Sequence, residues 1–146
     1  MAGKPILVAL DFEEASRCAL ATAQSIGAAL GAPIVLVHVY RIPFYTYPTI
    51  EPMPLPPMAF APEIEASARK ALADFAAALG IPASSTVVRE GDPVDEILAV
   101  AASLDAQMIA LGTHARRGLA HILLGSVAEQ VVRRATVPVL TVRVPG

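Results

Sequence analysis

Short apolar runs alternating with segments of helical period constrain this chain more than any other feature. Ile6 to Leu10, Ile34 to Val39, Met108 to Leu111 and Val137 to Val144 show almost no polar alternation. That is the pattern of strands covered on both faces, as in parallel sheets. Thr86 to Arg89 is a weaker fifth run. Between the runs, apolar residues recur at helical spacing: Ala15, Ala19, Thr22, Ile26 and Leu30; Ile64, Ala68, Leu72, Phe75 and Leu79; Val94, Ile97, Ala101 and Leu104; Leu124, Val127, Val131 and Ala135. Helix punctuation agrees, with Gly31 and Gly80 placed where a left-handed residue ends a helix and Asp92-Pro93 supplying a cap and a first-turn proline.

The order β-α-β-α-β-α-β-α-β predicts a three-layer α/β/α fold with right-handed crossovers and a five-stranded parallel sheet in the flavodoxin-like order 3-2-1-4-5. Residues 1–146 suit one domain. In such sheets ligands bind beyond the carboxyl ends of the strands, near the point where strand order reverses. Asp11, His38 to Tyr40 and Gly112 to Ala115 fall at that edge.

Hydrophobic residues make up 55% of the chain, but the longest runs fall far short of the roughly 18 residues of a spanning helix. The N-terminus lacks the apolar core and cleavage site of a signal peptide, so the expectation is a cytoplasmic protein with no membrane partner. A formal net charge of -2 argues against broad attachment to nucleic acid, which needs a basic face. Cys18, the single cysteine, is expected on the inner face of the first helix as a structural thiol.

Strand four leads into Gly112-Thr113-His114-Ala115-Arg116-Arg117-Gly118, and the fourth helix is expected to begin near Gly125-Ser126. Glycines let backbone N–H groups turn toward an oxyanion, a helix start adds unpaired donors, and Arg116 and Arg117 add charge. Ser126 also fits a capping box with Glu129. Asp11 could hold a ribose hydroxyl or a magnesium ion, yet Asp11-Phe12-Glu13-Glu14 fits a capping box too. Both pairs of readings stand open on sequence. His38, His114 and His121 have no metal-site spacing, and no catalytic motif with a loop lysine or an evident base is present. Binding is therefore expected rather than fast phosphoryl transfer.

At this point the chain resembles the universal stress protein family over nearly its whole length. The residues that carry the resemblance are Ile6-Leu7-Val8-Ala9-Leu10-Asp11, Leu36-Val37-His38-Val39, Gly91-Asp92-Pro93 and Gly112 through Val142. The resemblance implies an adenine nucleotide alpha hydrolase-like fold and a regulatory or stress-response module that binds ATP, or AMP or ADP, with at most slow hydrolysis. It implies a G-x-x-G, nine residues, then G-[ST] loop for the phosphates, which places Gly112, His114, Ala115, Arg116, Arg117, Gly125, Ser126 and Val127 at the nucleotide. Asp11 would contact ribose or nucleotide-bound Mg, and the backbone of Val39 would meet adenine. Alanine stands at position 115 where the pattern has its second glycine. If that position is left-handed, the methyl costs roughly 1 to 2 kcal/mol, about tenfold in affinity, so weakened binding is expected. The alternative is a dimeric interaction scaffold that binds no nucleotide.

In the order 3-2-1-4-5 the strand at Val137 to Val144 lies at an edge, and its apolar character predicts pairing with a second copy. The resemblance implies a homodimer there as well, and a protein partner of unknown identity. Arg41 to Pro62 holds seven of the thirteen prolines and is read as a long connection: a lid, a P-x-x-P ligand at Pro54-Leu55-Pro56-Pro57, or an insertion with no single role.

Overall fold

The computed structural model describes residues 3–42, 61–113 and 125–144. Five strands, β1 (Ile6–Ala9), β2 (Ile34–Tyr40), β3 (Thr86–Glu90), β4 (Met108–Gly112) and β5 (Val139–Val142), alternate with four helices, α1 (Glu14–Leu30), α2 (Ala61–Ala78), α3 (Pro93–Ser103) and α4 (Ser126–Arg134). A 3₁₀ turn over Ala83–Ser85 precedes β3. The strands are all parallel in the order β3-β2-β1-β4-β5, as the alternation predicts.

Because successive side chains on a strand point to opposite faces, the sheet carries two separate cores. Ile6, Val8, Leu36 and Ala110 pack with Leu20, Ala23, Leu72 and Ala76 of α1 and α2. Leu7, Val37, Ile109 and Leu111 pack with Val94, Ile97, Val100, Ala128 and Val131 of α3 and α4. These are the outer layers of a three-layer sandwich. Most of the largest buried side chains, among them Ile6, Leu7, Leu36 and Ile109, lie on the strands, and the sheet is covered on both faces and needs no polar alternation.

The helix faces differ in detail from the sequence reading. On α1 the buried residues are Ala15, Ser16, Ala19, Leu20, Ala23 and Gly27, while Thr22 and Leu30 are exposed. The reason is close approach: a Cβ on Gly27 would lie 2.8 Å from the Ala32 carbonyl oxygen. Small residues therefore dominate the sheet-facing side, with Leu20 buried among them and Ile26 packed at its margin. Cys18 is consequently half-buried rather than on the inner face. On α2, Ala68, Leu72 and Ala76 are buried and Leu79 is exposed.

Gly31 (φ 65°) and Gly80 (φ 72°) end α1 and α2 in the left-handed conformation, as expected from their positions. Asp92 caps α3 by accepting a hydrogen bond from the Asp95 amide at 3.0 Å, with Pro93 at the first helical position. Its other oxygen takes the Arg41 guanidinium at 2.6 Å, tying the end of β2 to the start of α3.

The final strand is shorter than the apolar run. Pro138 lacks an N–H and contributes its carbonyl, which accepts from the Ile109 amide at 3.0 Å, so the ladder proper begins at Val139. Of the proline-rich connection, positions 43–60 lie outside the described residues, and Ala61 and Pro62 belong to α2. Among the described residues, no helix is long and apolar enough to cross a membrane.

Candidate functional site

The order β3-β2-β1-β4-β5 puts the topological switch between β1 and β4, so the carboxyl ends of β1, β2 and β4 open onto one edge. A cavity of about 170 Å³ lies there. Its floor and walls are mostly apolar, with Ala9, Val37, Val39 and Leu111 from the strands and Pro93, Ile97 and Val127 from α3 and α4. Leu10, Asp11, Ser16 and Gly112 complete the lining. An apolar slot with few polar groups at its rim is the usual make-up of a small-molecule site.

Asp11 sits just past the end of β1 at the cavity rim. Its Oδ1 accepts from the Glu13 amide at 2.9 Å. The Ser16 hydroxyl donates to the Glu13 carbonyl at 3.0 Å and accepts from the Asp11 amide at 3.4 Å. The residue that caps α1 is Glu13, in extended conformation. The capping-box reading of Asp11 is thus replaced by an Asx turn, in which the carboxylate bonds the backbone two residues on. Of the residues lining the cavity, Asp11 carries the carboxylate, and a ribose hydroxyl or a nucleotide-bound cation would meet it there. Ser16, which is 2% exposed, fixes this turn and was not singled out from the sequence. Its signal is a serine one helical turn behind the acidic residue.

Val39 reaches beyond its neighbour. β1 ends at Ala9, opposite Val37, while β2 runs on to Tyr40. The Val37 carbonyl accepts from the Leu10 amide, so its backbone faces β1. Two residues later the Val39 N–H and C=O face the same side, past the end of β1 and toward the cavity. The Tyr40 carbonyl faces the other way and accepts from the Gly91 amide. One N–H and one C=O side by side match the acceptor and donor on the edge of an adenine ring.

Gly112 has a different job from the one its sequence position implies. A Cβ there would lie 2.3 Å from the Ala15 carbonyl carbon and 2.6 Å from the Ser16 amide nitrogen. The glycine exists to let the first turn of α1 press against β4, the role of a glycine that allows close helix–strand packing. Phosphate contact is not needed to explain it.

Thr113 follows. Its amide donates to the Val142 carbonyl at 2.9 Å, and its side chain is 4% exposed. Its Oγ1 has no hydrogen-bond partner among the described residues. A buried hydroxyl in that state costs about 1 to 3 kcal/mol, which makes the group informative.

α4 starts at Ser126 with Gly125 as its cap, and no side chain among the described residues caps it. The capping-box reading of Ser126 therefore falls: the serine is the first helical residue, and Glu129 is bonded through its amide to the Gly125 carbonyl in the ordinary helical way. The N–H groups of Ser126, Val127 and Ala128 have no intrahelical acceptor, and they carry the positive end of the helix dipole. Val127 lines the cavity, so this helix start opens onto it. His114, Ala115, Arg116 and Arg117, together with His121, lie outside the described residues.

His38 does not join the cavity. Its ring lies on the α1–α2 side of the sheet, 4.8 Å from the Phe12 ring. Its Nδ1 is 2.8 Å from the Leu10 carbonyl oxygen; since a carbonyl only accepts, the Nδ1 carries the proton.

Comparison with known proteins agrees with this α/β architecture. The model of the universal stress protein family matches residues 3–143. A Thermus aquaticus universal stress protein is 32% identical over 147 positions, covering 96% of this chain and 98% of its own. Among solved structures, MJ0577 superposes with a TM-score of 0.74 at 23% identity over 100% of this chain and 99% of its own, a likeness of fold. A universal stress protein in complex with cAMP superposes with a TM-score of 0.60 at 26% identity over 98% of both chains. The chain belongs to the universal stress protein family.

Proposed function

We propose that this chain is an adenine-nucleotide-binding regulatory module. The observation that carries the reading is the meeting, at one cavity, of the Asp11 carboxylate, the paired Val39 backbone groups and the start of α4 without a side-chain cap. The apolar walls suit a purine, Asp11 suits a ribose hydroxyl or a nucleotide-bound Mg ion, and the helix start suits phosphate oxygens. The relative that holds cAMP supports an adenine nucleotide as the class. His114, Ala115, Arg116 and Arg117, which lie outside the described residues, are proposed to bind the phosphates. Hydrolysis is expected to be slow, because none of the described residues lining the cavity is a lysine or a histidine.

Mass spectrometry of the small molecules released from freshly purified, denatured protein tests this reading, backed by calorimetry with ATP and Mg. Released adenine nucleotide with saturable binding supports it; no nucleotide and no binding at millimolar ATP removes it. Ala115, in place of the glycine of the loop pattern, favours a second reading in which the fold is kept as an interaction scaffold. Ala115→Gly separates the two: tighter ATP binding supports a weakened site, and no change in a non-binding protein supports the scaffold.

A homodimer through β5 is part of the proposal. The four residues of β5 are half-buried, and Val144 beyond them is 36% exposed at the sheet edge, where a second copy would cover them. Light scattering at micromolar concentration is expected to give about twice the 15.2 kDa chain mass.

A further inference from the structure

We infer that Phe12 is the positioning residue of the cavity carboxylate, a latch that fixes Asp11 from the opposite side of the sheet. Phe12 is one of two non-glycine residues with positive φ among the described residues, at 66°. A left-handed aromatic residue persists where its surroundings over-determine it, and here they do. The ring packs against the α1–α2 core, 4.8 Å from His38 of β2 and 5.9 Å, edge-on, from Phe75 of α2. The Arg17 guanidinium lies over the Phe75 ring, 5.8 Å from its centre.

The backbone on either side of Phe12 is pinned to the same groups. The Leu10 carbonyl accepts from His38, the ring against which Phe12 packs. Beyond Phe12, the Glu13 amide donates to the Asp11 carboxylate. The left-handed kink thus sends the Phe12 ring into one layer of the sandwich while Asp11 stays at the cavity in the other. The Ser16 hydroxyl braces the backbone at Asp11 and Glu13, and the ring adds the contact that fixes the left-handed residue between them; an extended or right-handed Phe12 breaks the Asx turn and swings the carboxylate away.

The affinity arm of the test rests on the nucleotide reading above; the turn arm does not. Phe12→Leu keeps apolar bulk and removes the ring stacking, and Phe75→Leu removes one jaw of the clamp from a residue outside the cavity. The turn is read by hydrogen exchange of the Glu13 amide, followed by NMR in the folded full chain. Phe12→Leu is expected to lower its protection about tenfold, with Phe75→Leu in the same direction and smaller. Phe12→Leu is also expected to weaken ATP binding about tenfold, the usual scale for losing a group that orients a ligand contact. Added to Asp11→Asn it is expected to change affinity no further, which a merely structural role would not produce.

Wild-type Glu13 protection in both folded variants overturns the inference, as does a Phe12→Leu loss of affinity that adds in full to that of Asp11→Asn. If wild-type protein binds no ATP while Phe12→Leu still exposes the Glu13 amide, the latch stands and the nucleotide reading falls.

Discussion

The two chain corners that flank the switch point, β1 into α1 and β4 into α4, solve the same problem in opposite ways. Each takes the chain off the carboxyl end of a central strand and into a helix beside the cavity. At the first corner the polar groups are satisfied from within: Asp11 accepts from Glu13, Ser16 bridges the Asp11 amide and the Glu13 carbonyl, and His38 donates to Leu10. At the second, the described ends leave polar groups over. Thr113 Oγ1 is buried with no partner among the described residues, and α4 starts on a glycine cap. A corner that completes its own hydrogen bonds holds a shape; one whose helix start keeps backbone N–H groups without an intrahelical acceptor can take an added acceptor. The first suits the placing of a carboxylate, and the second suits the anion proposed above.

The sharpest way to break this contrast is at Gly112, which belongs to both corners because α1 packs on it. Gly112→Ala places a methyl against the backbone of Ala15 and Ser16. It is expected to cost about 3 kcal/mol in urea unfolding, the upper end for overpacking. A variant as stable as wild type would mean that α1 does not press on β4 as described.

Next in size is Asp11→Ala, which is expected to lose about 1 kcal/mol of stability with the Asx hydrogen bond and about tenfold in ATP affinity, one charge-assisted contact. Equal loss of stability without loss of affinity would reduce Asp11 to a turn residue. Thr113→Val is expected to do the reverse, gaining about 1 kcal/mol in the free protein by removing an unsatisfied hydroxyl while weakening nucleotide binding. Ser126→Ala is expected to leave thermal stability within about 0.5 kcal/mol, because the serine caps nothing, and to reduce ATP affinity. A clear loss of stability would restore the capping role.

The smallest effect lies at the end of β2. Desolvation, then the Glu65 and Glu90 carboxylates, raise the Tyr40 phenol above its ordinary value of 10.0, with Arg69 opposing. The folded state thus favours the neutral phenol. That stabilisation is present below pH 10 and is lost as pH rises through the folded value. Tyr40→Phe is expected to flatten the alkaline end of the stability profile slightly, and an unchanged profile would show that the phenol is as free as in the unfolded chain.

The sheet was legible because a strand covered on both faces has to be continuously apolar: Ile6, Ile34, Thr86 and Met108 each begin a strand where the run begins. Legibility failed where packing is set by smallness. Ala19, Ala23 and Gly27 face the sheet on α1 while Leu30 does not, and hydrophobicity alone ranks them the other way round. At the carboxyl edge, the order of elements brings Asp11, Val39, Gly112 and Val127 to one cavity, with Gly125 and Ser126 at the adjoining start of α4. Their local roles were not legible in that order: Gly112 answers to a helix 2.3 Å from its absent Cβ, and the cap of α4 is Gly125 rather than Ser126. The second is a shift of one position at a helix end; the first depends on a contact between residues distant in sequence, which no spacing rule encodes. Phe12 was invisible for the same reason, since its φ follows from rings on β2 and α2.

The central claim, that the carboxyl edge between β1 and β4 is a nucleotide site, is tested most directly by titrating ATP with Mg into the labelled protein and following backbone amides by NMR. Saturable shifts are expected at Asp11, Val39, Thr113, Ser126 and Val127, with the distant ends of α1 and α2 near Leu30 and Leu79 unchanged. Unshifted amides at those five positions at millimolar ATP, or shifts centred elsewhere on the molecule, would contradict it.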